Sequence, residues 1–255
     1  MPKSHQPASF ALLARKISTL TIEASLRLLC KEFEDAVSFS TSFSKEDQAI
    51  SHIIFSGNLR ISVFTLDTGR LFPETYTVWR STNERYRTAI RAYCPDAAQL
   101  EPYISVKGPN AFYDSVENRK ECCFIRKVEP LKRALKNQQI WITGLRAEHS
   151  QSREGLQQLE WDESNGLVKY HPLLNYTTGQ VDDFIKENNI PYNPLNDKAF
   201  VSIGCAPCTR AISPGEDFRA GRWWWEQSNG KECGLHVHQA EMPLLTINSK
   251  ESNPL

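Results

Sequence analysis

Five of the seven cysteines in this chain are placed for chemistry. Cys122 and Cys123 are adjacent, Cys205 and Cys208 form a Cys-Ala-Pro-Cys pair, and Cys233 stands alone in Glu-Cys-Gly-Leu-His. Four thiolates in two tight pairs match the donor set of an iron–sulfur cluster or of a structural zinc site. Adjacent cysteines are uncommon around zinc, whereas a cubane accepts neighbours because its irons are separate corners. The spacing therefore favours a metal centre over a chance grouping of buried thiols. Cys30 and Cys94 fall in core-like patterns and read as buried thiols. Cys233 is a candidate nucleophile, because the thiolate is the attacking form and a neighbouring imidazolium such as His236 lowers its pKa. Gly230 and Gly234 would let that segment move. A surface cysteine near the chain end is the competing reading, and on this motif alone the two are level.

The next residues able to do chemistry are those that bind anions. Ser38-Phe39-Ser40-Thr41-Ser42-Phe43-Ser44 places Ser40, Ser42 and Ser44 before a predicted helix, where backbone N–H groups and the helix dipole favour negative charge. Alone, this stretch is more simply a serine-rich turn with a cap. It is not a Gly-Lys-Ser/Thr phosphate loop, nor does it carry the glycines of a dinucleotide fingerprint. Lys127 lies four residues after Cys123, on the same face if the helix runs on to Pro130; an exposed lysine beside Arg126 is the ordinary alternative. Arg219 and Arg222 precede three tryptophans, Trp223 to Trp225. Arginine suits bidentate contact with phosphate or sulfate, and the indoles either shield a pocket or pack the segment down.

These residues need a scaffold. At 255 residues, with 40% hydrophobic and 24% charged residues and a formal net charge of zero, the chain reads as one soluble α/β domain. Neutral charge gives no support to a nucleic-acid or anionic-membrane partner. No apolar run is long enough to span a bilayer, and the first residues lead into an amphipathic stretch rather than a signal-peptide core. A cytosolic location is expected, where paired cysteines mean metal or redox chemistry rather than disulfides. Apolar spacing predicts a helix over 8–34, strands over 36–39 and 61–66, helices from 45 and 73, and a strand near 86–92. Further helices are expected near 96–105 and 120–137, the latter interrupted or restarted at Pro130, then a strand over 140–143, a short strand at 168–170 and a helix over 178–188. The alternation implies a parallel sheet flanked by helices, with loops 38–44, 67–70 and 144–146 gathered at one edge. From 191 onward the pattern is irregular and reads as a site-covering tail, not a second core. The expected organisation is a single α/β domain over 1–215 and an active-site tail over 216–255.

Taken in order, the motifs resemble the assimilatory sulfonucleotide reductases, more closely their adenylyl-sulfate (APS) branch. They are the serine loop at 38–47, Leu66-Asp67-Thr68-Gly69-Arg70, Cys-Cys-x-x-Arg-Lys-Val-Glu-Pro-Leu at 122–131 and Thr-Gly-Leu-Arg at 143–146. Gly-Cys-x-Pro-Cys-Thr-Arg at 204–210, Arg-x-Gly-Arg-Trp-Trp at 219–224 and Glu-Cys-Gly-Leu-His at 232–236 complete the set. The match spans roughly residues 30 to 238, and hydroxylated residues at 40–44 depart from the small residues many relatives carry. The resemblance implies a core related to PP-loop adenine-nucleotide enzymes and a [4Fe-4S] cluster on Cys122, Cys123, Cys205 and Cys208. It implies APS as substrate, with adenosine beside Leu66, Asp67 and Thr68. The phosphosulfate would meet the serine loop, Lys127, Arg219, Arg222 and His236, with Arg146 a further candidate. Cys233 would be the nucleophile and reduced thioredoxin or a similar dithiol protein the reductant, in sulfate assimilation toward cysteine. A 3′-phosphoadenylyl sulfate (PAPS) reductase is the near alternative, a PP-loop tRNA-thiolating enzyme a more distant one. The oligomeric state, a homo-oligomer included, stays open.

Overall fold

Short apolar runs bounded by polar turns become the central strands, Val37–Ser40 and Ile140–Ile142, which are buried on both faces. The computed structural model describes residues 10–149 and 155–226. Its sheet comprises β1 (Val37–Ser40), β2 (Ser62–Leu66), β3 (Arg91–Tyr93), β4 (Ile140–Ile142), β5 (Leu159–Asp162) and β6 (Leu167–Tyr170). Their order is β3-β2-β1-β4-β6-β5. All neighbours pair in parallel except β5, which runs antiparallel to β6. The expected parallel sheet is therefore mixed at one edge. Val63, Phe39 and Ile142 share a register row and belong to the main core with Leu26, Leu29, Ile50 and Ile54.

Eight helices are described: α1 (Phe10–Ile17), α2 (Ile22–Phe33), α3 (Lys45–Ser56), α4 (Pro73–Tyr86), α5 (Ala97–Lys107), α6 (Val116–Cys123), α7 (Glu129–Ala134) and α8 (Thr178–Glu187). The single helix expected over 8–34 is two. Ser18 and Thr19 hydroxyls bond back to Arg15 and Lys16 carbonyls, and Thr21 then caps α2 by accepting the Ala24 N–H at 3.2 Å. The strand expected near 86–92 begins only at Arg91, because α4 continues to Tyr86 and ends on a left-handed Arg87 at φ 50°. The helical run is interrupted and restarts at Pro130, the second residue of α7. A π-helical turn, Phe124–Val128, joins α6 to α7 and widens the backbone directly before the proline, which has no N–H to give.

The region after 191 does build a second core. Trp223 is fully buried with Tyr103, Phe112, Ile125 and the four paired cysteines. Residues 216–226 are packed against what precedes them: Thr209 and Arg222 form an antiparallel bridge, and the Trp223 N–H donates to the Cys208 carbonyl at 3.3 Å. Cys94, expected in the core, is exposed, and Cys30 is half-buried. Among the described residues no helix is long and apolar enough to cross a membrane.

Candidate active site

The chain leaves β1 and β4 in opposite lateral directions across the sheet, and the crevice beyond their carboxyl ends is where such folds place ligands. A cavity of about 250 Å³ opens there. Ser40, Ser42 and Ser44 line it from the β1–α3 turn, Leu66 and Thr68 from the end of β2, and Thr143 and Gly144 from the end of β4. The turn is held by its own chemistry. Asp47 Oδ2 accepts the Ser42 N–H at 2.6 Å and the Ser42 hydroxyl at 2.7 Å, and Ser44 caps α3 by accepting the Asp47 N–H at 3.2 Å. Phe43 adopts φ 61° and turns its ring onto Trp79, with centroids 5.6 Å apart. Burial pushes the Asp47 carboxyl up to about 6 against the lowering effect of the Ser42 bonds. A side chain at Gly144 would collide with Asp47 Oδ1, so this close approach requires glycine. Ser40 Oγ accepts the Trp141 Nε1–H at 2.8 Å, which leaves the Ser40 proton for another acceptor.

The opposite side is cationic. Lys127, Arg219 and Arg222 line the same cavity. The Arg222 guanidinium lies 4.8 Å from the Trp223 ring centroid, and that of Arg219 lies 5.9 Å away. Any side chain at Gly204 would overlap the Arg222 guanidinium. Among the described residues Arg222 Nε is a buried donor without a hydrogen-bond partner, the condition an incoming anion would satisfy. Lys127 and Arg126 are both buried, so the ordinary reading of an exposed basic run does not hold.

Lys127 and Cys205 also border a second, smaller cavity lined by all four paired cysteines with Arg70, Arg119, Arg126 and Phe112. Cys122 and Cys123 come from the last turn of α6, while Cys205 precedes and Cys208 ends a single 3-10 turn, Ala206–Cys208. Burial opposes ionisation of Cys122, Cys205 and Cys208. At Cys205 the charge of Lys127, the Thr68 hydroxyl at 3.3 Å, Arg222 and Arg126 outweigh burial and hold the pKa below its usual value. At Cys122 burial wins despite Arg126, and at Cys208 burial and neighbouring Cys205 push the thiol up to about 12. Among the described residues no three potential ligands close on a single-ion site, so the quartet lines a space rather than a point. Four thiols facing several buried cations, with Arg126 Nε also without a partner among the described residues, are once ionised a donor set suited to a cluster of net negative charge.

Two expected contacts lie elsewhere. Arg146 is wholly buried and does not line the cavity: Nε donates to Glu46 at 3.0 Å and the terminal nitrogens to Glu148, the Tyr176 carbonyl and Thr178. It ties the first turn of α3 to the start of α8. Asp67 shapes its own turn, accepting the Gly69 N–H at 2.9 Å and the Tyr76 hydroxyl at 2.7 Å. Cys233 and His236 lie outside the described residues. Sequence reasoning missed three features: the Asp47 clamp, the lining segment 201–204, and a bidentate ion pair from Arg119 to Glu226 at 2.8 and 2.9 Å. Both members of that pair are buried and 107 residues apart, a separation that leaves no local signal.

Comparison with known proteins agrees with this arrangement. The family model described as the phosphoadenosine phosphosulfate reductase domain matches residues 36–211. A protein named adenosine 5′-phosphosulfate reductase from Allochromatium vinosum is 49% identical over 83% of this chain and 82% of its own length. One of the same name from Rhizobium meliloti is 43% identical over 90% and 86%. The crystal structure of phosphoadenylyl-sulfate reductase from Candida auris, a phosphate complex, superposes with a TM-score of 0.70 at 28% identity, covering 81% of this chain and 98% of that one. Candida glabrata FMN adenylyltransferase, with FAD and pyrophosphate, gives 0.52 at 15% identity over 89% and 78%, which shows a shared fold alone. The matched span, the order of its motifs and the overlap of folds make this chain a member of the phosphoadenosine phosphosulfate reductase family.

Proposed function

We propose that the protein reduces adenylyl sulfate to sulfite and AMP with electrons from a dithiol protein of the thioredoxin type, in assimilatory sulfate reduction. The observation that carries this reading is the shared wall. Lys127 and Cys205 border both the cavity of about 250 Å³ at the sheet edge and a cavity lined by four cysteines. The names of the close relatives point to the same substrate.

In this reading Cys122, Cys123, Cys205 and Cys208 would hold a [4Fe-4S] cluster. When bound, it supplies a fixed electrostatic and structural anchor beside Lys127, while the dithiol supplies both electrons. The chain's own residues do the rest. The serine loop and the N-terminus of α3 receive the phosphate end. Lys127, Arg219 and Arg222 neutralise the phosphosulfate and stabilise charge as it moves onto the leaving phosphate. The Cys233 thiolate attacks the sulfate sulfur, the bond from sulfur to the bridging oxygen breaks, and AMP leaves with that electron pair. His236 keeps the thiolate ionised. A thiolate of the partner then attacks the Cys233 sulfur of the resulting S-sulfocysteine and expels sulfite. Its second thiol resolves the mixed disulfide, so Cys233 returns as thiolate and the partner leaves oxidised.

PAPS is the competing substrate, favoured by the name of the matching structural relative. Turnover assays with both nucleotides and reduced thioredoxin decide between them. Faster sulfite release from APS supports the reading, and turnover of PAPS alone overturns it. Cys233→Ser is expected to abolish the S-sulfo adduct, seen by mass spectrometry, while iron content stays unchanged.

A further inference from the structure

Behind the cavity wall, three side chains form a hydrogen-bonded row. Thr143, at the end of β4, lines the cavity. Its Oγ1 lies 2.7 Å from Nδ1 of His171, which follows β6 and is completely buried. His171 Nε2 lies 3.3 Å from Glu160 Oε2 on β5. Backbone bonds hold its first two members: the Thr143 N–H donates to the Tyr170 carbonyl at 3.0 Å and the His171 N–H to the Gln158 carbonyl at 2.8 Å. The row exists because β5 runs back along β6, which brings Glu160 beside the residue that follows β6.

Chemistry gives the row a direction. Burial pushes the Glu160 carboxyl up, but His171 and the Gln157 N–H outweigh it and hold the group below its usual range. An ionised carboxylate only accepts, so Nε2 carries the ring hydrogen. When the ring is neutral, Nδ1 is then a lone pair and Thr143 donates its one hydroxyl hydrogen to it. Thr143 Oγ1 is left with lone pairs alone, one of them facing the Leu145 N–H at 3.4 Å.

We propose that Glu160 and His171 are positioning residues that fix Thr143 as a hydrogen-bond acceptor in the cavity, where it reads a hydroxyl or amino donor of the nucleotide and disfavours an anion at that place. The inference rests on the nucleotide reading above. Lys127, Arg219 and Arg222 line the same cavity as Thr143 and supply its cations. A phosphoryl oxygen set against Thr143 would place lone pair against lone pair, a mismatch that selects by repulsion.

Calorimetric titration with AMP and with adenosine 3′,5′-bisphosphate tests the proposal in wild type, Thr143→Val and Thr143→Ser. Thr143→Val is expected to weaken AMP about tenfold, the size of one net hydrogen bond, and Thr143→Ser to restore it to within about twofold. In the wild type, ¹⁵N NMR of His171 above the imidazole titration range should show the Nε2–H tautomer; this readout needs no variant. AMP bound equally by folded Thr143→Val, or an Nδ1–H tautomer, overturns the proposal and leaves the reductase reading standing. Wild type that binds no adenine nucleotide overturns both.

Discussion

The two cavities share a wall but are built differently. The larger one is framed by loops that leave β1, β2 and β4 at one sheet edge, and its turn is set by bonds between close neighbours such as Ser42, Ser44 and Asp47. The cysteine-lined one joins helix α6, the Ala206–Cys208 turn and the segment around Trp223, which meet only through tertiary packing. Its struts are few. Arg119 grips Glu226, the Tyr113 hydroxyl donates to the Pro207 carbonyl at 2.8 Å, and the Ala206 N–H donates to the Arg70 carbonyl at 2.7 Å. A region made from a sheet edge carries its own stability. One made from three distant segments relies on buried charge and on whatever its thiolates bind.

The sharpest way to break this contrast is Cys205→Ser. On the proposed cluster reading, its loss is expected to lower iron and sulfide per chain and cut turnover by more than about a hundredfold, a loss that altered supporting contacts alone reach only at their upper end. Far-ultraviolet circular dichroism should keep the signal of the sheet and its helices. Loss of the whole fold would show that the two regions are not separable.

Glu226→Gln leaves Arg119 buried against a neutral partner. Breaking a buried pair typically costs about 3–5 kcal/mol, read as a fall in denaturant midpoint. The KM for nucleotide should rise with it, because Arg219 and Arg222 sit on the same short segment. A drop in stability with KM untouched would separate the strut from the cationic wall.

Lys127→Ala should lower kcat/KM by about 10²–10³, the size of one preorganised charged donor, with iron content unchanged. Iron loss instead would place Lys127 with the cysteine-lined cavity alone.

The smallest effect concerns the nucleotide side. Asp47 has its carboxyl raised from an ordinary value of 3.8 to about 6 by burial. The folded state therefore holds this proton more tightly than the unfolded chain. That contribution favours folding below pH 4 and is lost as the pH climbs through about 6, a change of about 3 kcal/mol. Asp47→Asn should flatten stability over this window in denaturant titrations. A wild-type curve already flat there would mean that Asp47 titrates normally.

Legibility follows the same division. The strand–loop–helix alternation, the serine turn before α3 and the two cysteine pairs could be read locally, because strand burial, capping and ligand spacing are properties of neighbouring residues. The strand β5 escaped because Leu159-Glu160-Trp161-Asp162 is short and half-polar, and an edge position hides it from an apolar count. Arg146 was expected to face substrate because its motif follows a strand. Glu46 and Glu148 capture it instead, and Glu46 lies 100 residues away along the chain.

The sequence by itself determined which side chains are available: a thiol quartet in two pairs, a hydroxyl-rich turn at a helix start, and two arginines beside tryptophans. It also determined the alternating elements that carry them, since periodicity and caps act over a few residues. Only the tertiary structure decided that Lys127 and Cys205 face both cavities, that Glu226 locks the last described turn onto α6, and that Thr143, His171 and Glu160 stand in line. Those relations depend on which strands pair and which charges are buried together, and both are settled by packing across the whole chain rather than by any local run of residues.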